Sequence, residues 1–193
     1  MRLFVALEIP AGVRDGLAAL VQQLRAISSQ AGDERPRWVR PENLHVTLKF
    51  IGQTAPEKLN SLRSALSAVH ADRPVEINFQ GLGFFPNEKH VRVLWAGLQA
   101  SANLPSLAGG IDRALATHGI PRETRAFEPH LTLARFEPPG LNQKLQAAIQ
   151  QNAGREFGSF QTREFHLIES KTKPSGAEYT RLTTFPFTTE ASH

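Results

Sequence analysis

The sequence predicts an α+β protein of two similar lobes closed around a shared cleft, and three observations carry that prediction. A His-x-Thr-Leu motif occurs twice, at positions 45–48 and 130–133. Each copy lies in a strict alternation of polar and apolar residues, the mark of a half-buried strand. The order of elements around the first copy then recurs around the second, with His45 and His130 separated by 85 residues. A programme used twice within one chain predicts two equivalent units related by a pseudo-twofold axis. The two histidine strands then occupy equivalent places and face each other.

In chain order, Leu3 to Ile9 reads as a buried strand ended by Pro10. From Ala11 to Ser29 the residues Val13, Leu17, Leu20, Val21, Leu24 and Ile27 recur at helical spacing. The polar stretch Ser28 to Arg37, with Gly32 and Pro36, is a surface loop. Trp38 and Val39 lead through Pro41 into the strand Asn43–Gly52, where His45, Thr47 and Lys49 share one face and Leu44, Val46, Leu48 and Phe50 the other. Pro56 opens a helix whose buried stripe is Leu59, Leu62, Leu66 and Val69. Val75 to Phe79, running on to Pro86, pairs with Val91 to Leu98 across a polar turn at Asn87 and Glu88.

The second half repeats the first. Leu104, Leu107, Ile111, Leu115 and Ile120 mark a helix, and a loop from Pro121 to Arg125 leads into the strand Phe127–Phe136 with His130 and Thr132 on one face. Pro138-Pro139-Gly140 breaks the chain before a short helix lined by Leu141, Leu145 and Ile149. Phe157 to Glu169 and Glu178 to Phe187 alternate as two strands, joined by a basic turn from Lys171 to Gly176 that includes Ser175.

One His-x-Thr is expected by accident about half the time in a chain of this composition, so a single copy carries little. Two copies, both followed by Leu and both inside strand-like alternation, carry much more. The residue types also suit one reaction. A nucleophile attacking phosphorus must lose a proton while the leaving oxygen gains one on the opposite side. Two opposed imidazoles, one neutral and one charged, perform both transfers. Thr47 and Thr132 can donate hydroxyl hydrogens to the non-bridging oxygens.

Composition narrows the alternatives. The 193 residues, 40% hydrophobic and 21% charged, describe an ordinary globular chain. The absence of cysteine excludes disulfides, thiolate metal sites and a cysteine nucleophile. The opening Met1–Pro10 is too short an apolar run for a signal peptide, and no stretch has the length of a membrane span, so a cytoplasmic protein is expected. The net charge of +4 is mild, but Arg35, Arg37 and Arg40 precede the first motif and Arg122 and Arg125 the second, which favours an anionic ligand. His70, His90, His118, His166 and His193 lack a matching Thr and metal-ligand spacing. Ser28, Ser29 and Ser175 lack the glycines of a nucleophile elbow. Gly81-Leu82-Gly83 lacks the third Gly and following helix of a phosphate loop. Phe84 and Phe85 read as packing residues, with base stacking as the alternative.

The paired motifs, Asn43-Leu44-His45-Val46-Thr47-Leu48-Lys49-Phe50-Ile51-Gly52 and Pro129-His130-Leu131-Thr132-Leu133-Ala134-Arg135, resemble those of the two-histidine phosphoesterase superfamily. Within it the chain is similar to the bacterial RNA 2′,3′-cyclic phosphodiesterases, also called 2′-5′ RNA ligases. The likeness extends through Arg2–Ala6, Trp38-Val39, Val93–Gly97 and Ser175–Tyr179. The resemblance implies one two-lobed domain over residues 1–193, with two pseudo-symmetric lobes, each an antiparallel sheet with helices outside, and the active site in the central cleft. It implies metal-independent hydrolysis of a 2′,3′-cyclic phosphate to a 2′-phosphate, with no cofactor and with reversible 2′-5′ ligation as a companion activity. His45 carries over as proton donor, His130 as proton acceptor, Thr47 and Thr132 as phosphate contacts, and Arg135 as a substrate contact. Strict alternation, however, places Arg135 on the face opposite His130 and Thr132. The expected partner is RNA with a cyclic phosphate end or a cyclic nucleotide, acted on by a monomer away from membranes. A phosphodiesterase of small nucleotides and a non-catalytic RNA- or nucleotide-binding module on the same fold are the alternatives.

Overall fold

The computed structural model describes residues 1–33, 36–87, 89–174 and 176–187. Arg35, Glu88, Ser175 and His193, named above, lie outside the described residues. Nine strands and four α-helices follow in order: β1 (Arg2–Glu8), α1 (Ala11–Gln30), β2 (Pro36–Trp38), β3 (His45–Gln53), α2 (Leu59–Ser67), β4 (Val75–Phe85), β5 (Val93–Ala100), α3 (Asn103–Ala116), β6 (His130–Phe136), α4 (Gln143–Gln151), β7 (Glu156–Thr162), β8 (Glu164–Lys173) and β9 (Gly176–Pro186), among the described residues. Short 3-10 turns at Pro41–Asn43 and Pro56–Lys58 begin with proline, whose fixed φ and missing N–H suit a first turn.

The strands form two antiparallel sheets, one in the order β3-β1-β8-β9 and the other β2-β6-β5-β4-β7. The expected two-lobed α+β architecture is therefore present, with one histidine strand in each sheet. The lobes are not consecutive halves of the chain, however. The C-terminal hairpin β8–β9 pairs with β1 and so completes the sheet of the first histidine strand. The single strand read over 157–169 is two strands that break at Arg163 and enter different sheets. Helices cross over as well: α1, which follows β1 of the first sheet, packs on β2 and β7 of the second, while α3 follows β5 and packs on β3. Each crossover stitches one lobe to the other.

The helix faces behave as their spacing predicts. Leu17, Leu20, Val21 and Leu24 of α1, Leu62 and Leu66 of α2, and Leu104, Leu107, Ile111 and Leu115 of α3 are buried in one continuous core with the outer faces of both sheets. Full burial of one such side chain is worth about 1.5–3 kcal/mol. Asn142 caps α4 by accepting a hydrogen bond from Leu145 N at 2.8 Å. A second, small cluster lies apart from the main core, on the inner face of the first sheet: Phe4, Ala6 and Ile168, with Tyr179 packed on it.

Candidate active site

Register decides which side chains face the cleft. In an antiparallel pair, residues directly opposite one another lie on the same face of the sheet. Glu8 is opposite His45 and Ala6 opposite Thr47, so the histidine and threonine share the face of the small Phe4–Ala6–Ile168 cluster. In the second sheet Gly97 is opposite His130 and Trp95 opposite Thr132. Both His-x-Thr pairs thus present their side chains as the alternation predicts.

Beyond each threonine the alternation breaks, and it breaks at the same place in both strands. Val5 is opposite Lys49 while Ala6 is opposite Thr47, so Leu48 is an extra residue in β3. Leu94 is opposite Ala134 while Trp95 is opposite Thr132, so Leu133 is extra in β6. Such a bulge shifts the phase of every following side chain by one. Leu48 and Lys49 are consequently both buried, as are Leu133 and Ala134, and the next residues, Phe50 and Arg135, turn outward. Phe50 is opposite Phe4, and Arg135 is opposite Val93.

Two sequence readings change as a result. Lys49 does not share the face of His45. It points into the core, where its Nζ donates to Asp112 Oδ1 at 2.7 Å and to the carbonyl of Pro121 at 2.8 Å. Arg135, which strict alternation sent to the core, lies instead on the face of His130 and Thr132. Its charge acts on both His45 and Tyr179.

The two imidazoles are held in the same way. His45 Nδ1 lies 2.6 Å from the carbonyl oxygen of Asn43, and His130 Nδ1 lies 2.8 Å from that of Glu128. A carbonyl can only accept, so the proton is on Nδ1 in each ring and Nε2 is left for chemistry. Asn43 is in turn fixed through its side chain, which donates to the carbonyl of Ala177 at 2.8 Å. Burial lowers the pKa of His45, the Asn43 carbonyl opposes that shift, and electrostatic repulsion from Arg135 and, to a lesser degree, from His130 when it is protonated adds to it. Strand β3 packs on strand β6, and His130 is among the groups that act electrostatically on His45, so the two histidines lie near one another.

The walls are aromatic. On the first sheet the Phe4 ring lies 4.8 Å from His45 and 5.0 Å from Tyr179, and Tyr179 meets His45 edge-on at 5.3 Å. On the second, Phe85 meets His130 edge-on at 4.9 Å and lies tilted against Trp95 at 5.3 Å. Phe85 is therefore a wall of the cleft, while Phe84, opposite Leu94, packs toward the core. A Cβ at Gly83 would overlap the Trp95 indole, so only glycine there lets the indole lie against β4. Trp95 Nε1 is left as a buried donor without a partner, among the described residues.

Tyr179 reaches the site because the first sheet is curled. By register Ala177 lies beyond the Arg2 end of β1, whereas His45 lies at its Glu8 end. In a flat sheet those levels would be about 26 Å apart along the strands. The Asn43–Ala177 hydrogen bond and the packing of Arg40 against Gly176 close that distance. The β8–β9 hairpin thus arches over the inner face and carries Tyr179 onto His45. No local pattern in the sequence marks this closure.

The other expected residues are placed as follows. Arg37 is opposite Arg135 and its guanidinium lies 3.4 Å from Glu137; Arg40 lies 3.8 Å from Glu42. Arg122 Nε donates to Asp112 Oδ2 at 2.6 Å, so this arginine braces the loop before β6 rather than a ligand. His166, opposite Ala6, is buried with Nδ1 3.1 Å from Thr184 Oγ1 and Nε2 3.6 Å from Glu164. Gly81-Leu82-Gly83 lies within β4, as expected of a strand and not of a phosphate loop. Among the described residues no three His, Asp or Glu side chains converge as ligands for a metal ion, and no helix is long and apolar enough to cross a membrane.

The chain is similar to known proteins over nearly its whole length. The LigT-like phosphoesterase family model matches residues 7–95 and 98–179. An RNA 2′,3′-cyclic phosphodiesterase of Methanothermobacter thermautotrophicus is 31% identical over 186 residues, covering 96% of this chain and 98% of the relative. One from Archaeoglobus fulgidus is 32% identical over 185 residues, covering 96% and 99%. Among solved structures, a protein of Thermus thermophilus superposes with a TM-score of 0.79 at 29% identity, covering 99% of this chain and all of that one. E. coli LigT in complex with 3′-AMP superposes with a TM-score of 0.70 at 26% identity, covering 97% and 98%. Two matched histidine strands, one from each sheet and closing on one cleft, accompany a match over nearly the whole chain: the protein belongs to the LigT-like phosphoesterase family.

Proposed function

We propose that the protein is an RNA 2′,3′-cyclic phosphodiesterase that hydrolyses a terminal 2′,3′-cyclic phosphate to a 2′-phosphate, with His45 as proton donor and His130 as proton acceptor. The observation that carries this reading is the matched pair of Nδ1–carbonyl bonds, at Asn43 and Glu128, which leaves one Nε2 from each lobe for the cleft. Water gives a proton to His130 Nε2 as its oxygen bonds to phosphorus. The bond from phosphorus to the 3′-oxygen breaks, and that oxygen takes the proton of His45 Nε2. The 2′-oxygen keeps the phosphate. Thr47 and Thr132 donate hydroxyl hydrogens to the non-bridging oxygens, and Arg135 neutralises charge beside them. With a 5′-hydroxyl of a second RNA in place of water, the same transfers form a 2′-5′ bond.

In the free protein, burial and the nearby Arg135 charge disfavour the charged form of His45. An anionic phosphate beside it favours the imidazolium, so the substrate itself arms the acid. Both histidines come from one chain, so a monomer acting as one unit over residues 1–193 suffices. No metal or cofactor enters the scheme.

The test is a short RNA ending in a 2′,3′-cyclic phosphate, compared with free 2′,3′-cyclic mononucleotides. The product should resist a 3′-specific phosphatase and yield to a non-selective one. His45→Ala and His130→Ala should each lower the rate by about a hundredfold or more. A 3′-phosphate product would reverse the assumed alignment of substrate in the cleft; binding without turnover would reduce the site to a nucleotide-binding module.

A further inference from the structure

The inner face of the second sheet does not end at His130. Gly97, opposite His130, is followed on the same face of β5 by Gln99, two residues along the strand. Gln99 is opposite Asn78 of β4, and Asn78 is opposite Ser159 of β7, so the three share that face. The neighbours of Asn78 along β4, Ile77 and Phe79, are buried on the core side. A polar row therefore climbs one wall of the cleft from His130 to the edge strand β7. From β6 to β7 is three strand spacings, or about 14 Å. Nucleotides stacked as in a duplex advance about 3.4 Å each, so two or more fit along the row.

The chemistry of the row says what it fits. Gln99, Asn78 and Ser159 are uncharged, and each both donates and accepts hydrogen bonds. Gln99 Nε2 donates to Gln80 Oε1 at 2.9 Å, which steadies the amide and leaves its own oxygen for a ligand. A groove of about 480 Å³ lies over the three residues. Glu76, the carboxylate at the far end of that groove, accepts from Gln161 Nε2 at 3.3 Å. Side-chain amides match the edges of unstacked bases, which single-stranded RNA presents. A protein partner would instead call for an aromatic or aliphatic anchor. Among the described residues the exposed large hydrophobic side chain, Phe50, belongs to the other sheet. The opposite wall offers less to an RNA chain, because the β8–β9 hairpin curls over it and Glu8 holds the Arg181 guanidinium at 3.0 Å.

We propose that the inner face of the second sheet, at Gln99, Asn78 and Ser159, binds the nucleotides that precede the cyclic phosphate end, so that the substrate is an RNA chain and not a free nucleotide. The proposal rests on the reading of the site as a cyclic phosphodiesterase and adds the surface that holds the rest of the RNA. The terminal phosphate lies at His130, and the chain leaves across β5 and β4 toward β7.

The experiment compares kcat/KM for a trinucleotide ending in a 2′,3′-cyclic phosphate with that for the cyclic mononucleotide of the same terminal base. The wild type should prefer the trinucleotide about tenfold, the scale of one or two net hydrogen bonds. Gln99→Glu combined with Asn78→Asp sets two negative charges beside the RNA backbone and should erase that preference. Turnover of the mononucleotide should stay as in wild type, which also shows that the double variant is folded. Equal rates for both substrates in wild type, or a preference that survives the double variant, would overturn the proposal. In wild type, the side-chain amide NMR signals of Asn78 and Gln99 should move on adding the trinucleotide 2′-phosphate and not on adding 2′-AMP. Signals that ignore the trinucleotide would overturn the proposal without any substitution. Calorimetry separates this from failure of the enzymatic reading. The trinucleotide 2′-phosphate should bind more tightly than 2′-AMP, and it alone should lose affinity in the double variant. That order of affinities without turnover of either cyclic phosphate would strike the enzymatic reading and leave the surface. Turnover with equal affinities would strike the surface alone.

Discussion

Lys49 Nζ lies 2.7 Å from Asp112 Oδ1, inside the protein, and this contact ties the first histidine strand to helix α3. Asp112 also accepts from Arg122 Nε at 2.6 Å and from the backbone N–H of Glu123 at 3.0 Å. The pair therefore links the strand of His45 to the loop that delivers His130. Removing one partner of a buried ion pair leaves the other uncompensated, typically at a cost of about 3–5 kcal/mol. Lys49→Met should lower the urea midpoint accordingly, and Lys49→Met with Asp112→Leu should recover part of the loss. A single Lys49→Met variant as stable as wild type would show that Arg122 alone satisfies Asp112.

Acid should unfold the protein partly through the same carboxylate. Burial works to raise the pKa of Asp112, but hydrogen bonds from Lys49, Glu123 and Arg122 and the charge of Lys49 prevail, holding it at about 2 against an ordinary 3.8. A depressed carboxylate stabilises the fold above its unfolded pKa and loses that contribution as pH falls toward the folded one. The window is thus from about 3.8 down to about 2, and the amount is about 2 kcal/mol for a side chain only 11% exposed. Urea unfolding of wild type and Asp112→Asn across this window should converge at its acid end.

The imidazole of His45 should titrate below the ordinary histidine range in the free protein, because burial and the nearby Arg135 charge disfavour its charged form. Arg135→Gln removes that charge and should move the midpoint upward, observable by NMR. Saturation with 2′-AMP should raise it further. The rate should follow a bell against pH whose two limbs belong to the histidine pair and not to single residues. An NMR titration of His45 unmoved by Arg135→Gln would mean that the guanidinium does not share the cleft in solution.

Thr47 and Thr132 are half-buried on the cleft face, opposite Ala6 and Trp95. Replacing either with Val keeps the shape and β-preference of the side chain while deleting the hydroxyl. Each change should lower kcat on the order of a hundredfold, the scale of one transition-state donor, with thermal stability little altered. Loss of turnover that tracks a falling Tm would point instead to damage to the strand.

What the sequence by itself determined is the local phase of each element. The alternation from His45 to Thr47 and from His130 to Thr132 is short and uninterrupted, so the faces of those four residues were legible, as were the buried stripes of the helices. The residues just past each threonine were not, because a bulge depends on the partner strand. Val5 and Leu94 decide that Leu48 and Leu133 are supernumerary, and only then do Lys49 turn inward and Phe50 and Arg135 outward. Sheet membership is likewise a long-range matter: nothing near Glu164–Pro186 states that this hairpin pairs with β1, more than 150 residues earlier in the chain. Its curl, latched by Asn43 and Ala177, brings Tyr179 to His45. Periodicity is a property of neighbours along the chain, whereas register, bulges and curl are settled by partners across it, and the cleft is made of both.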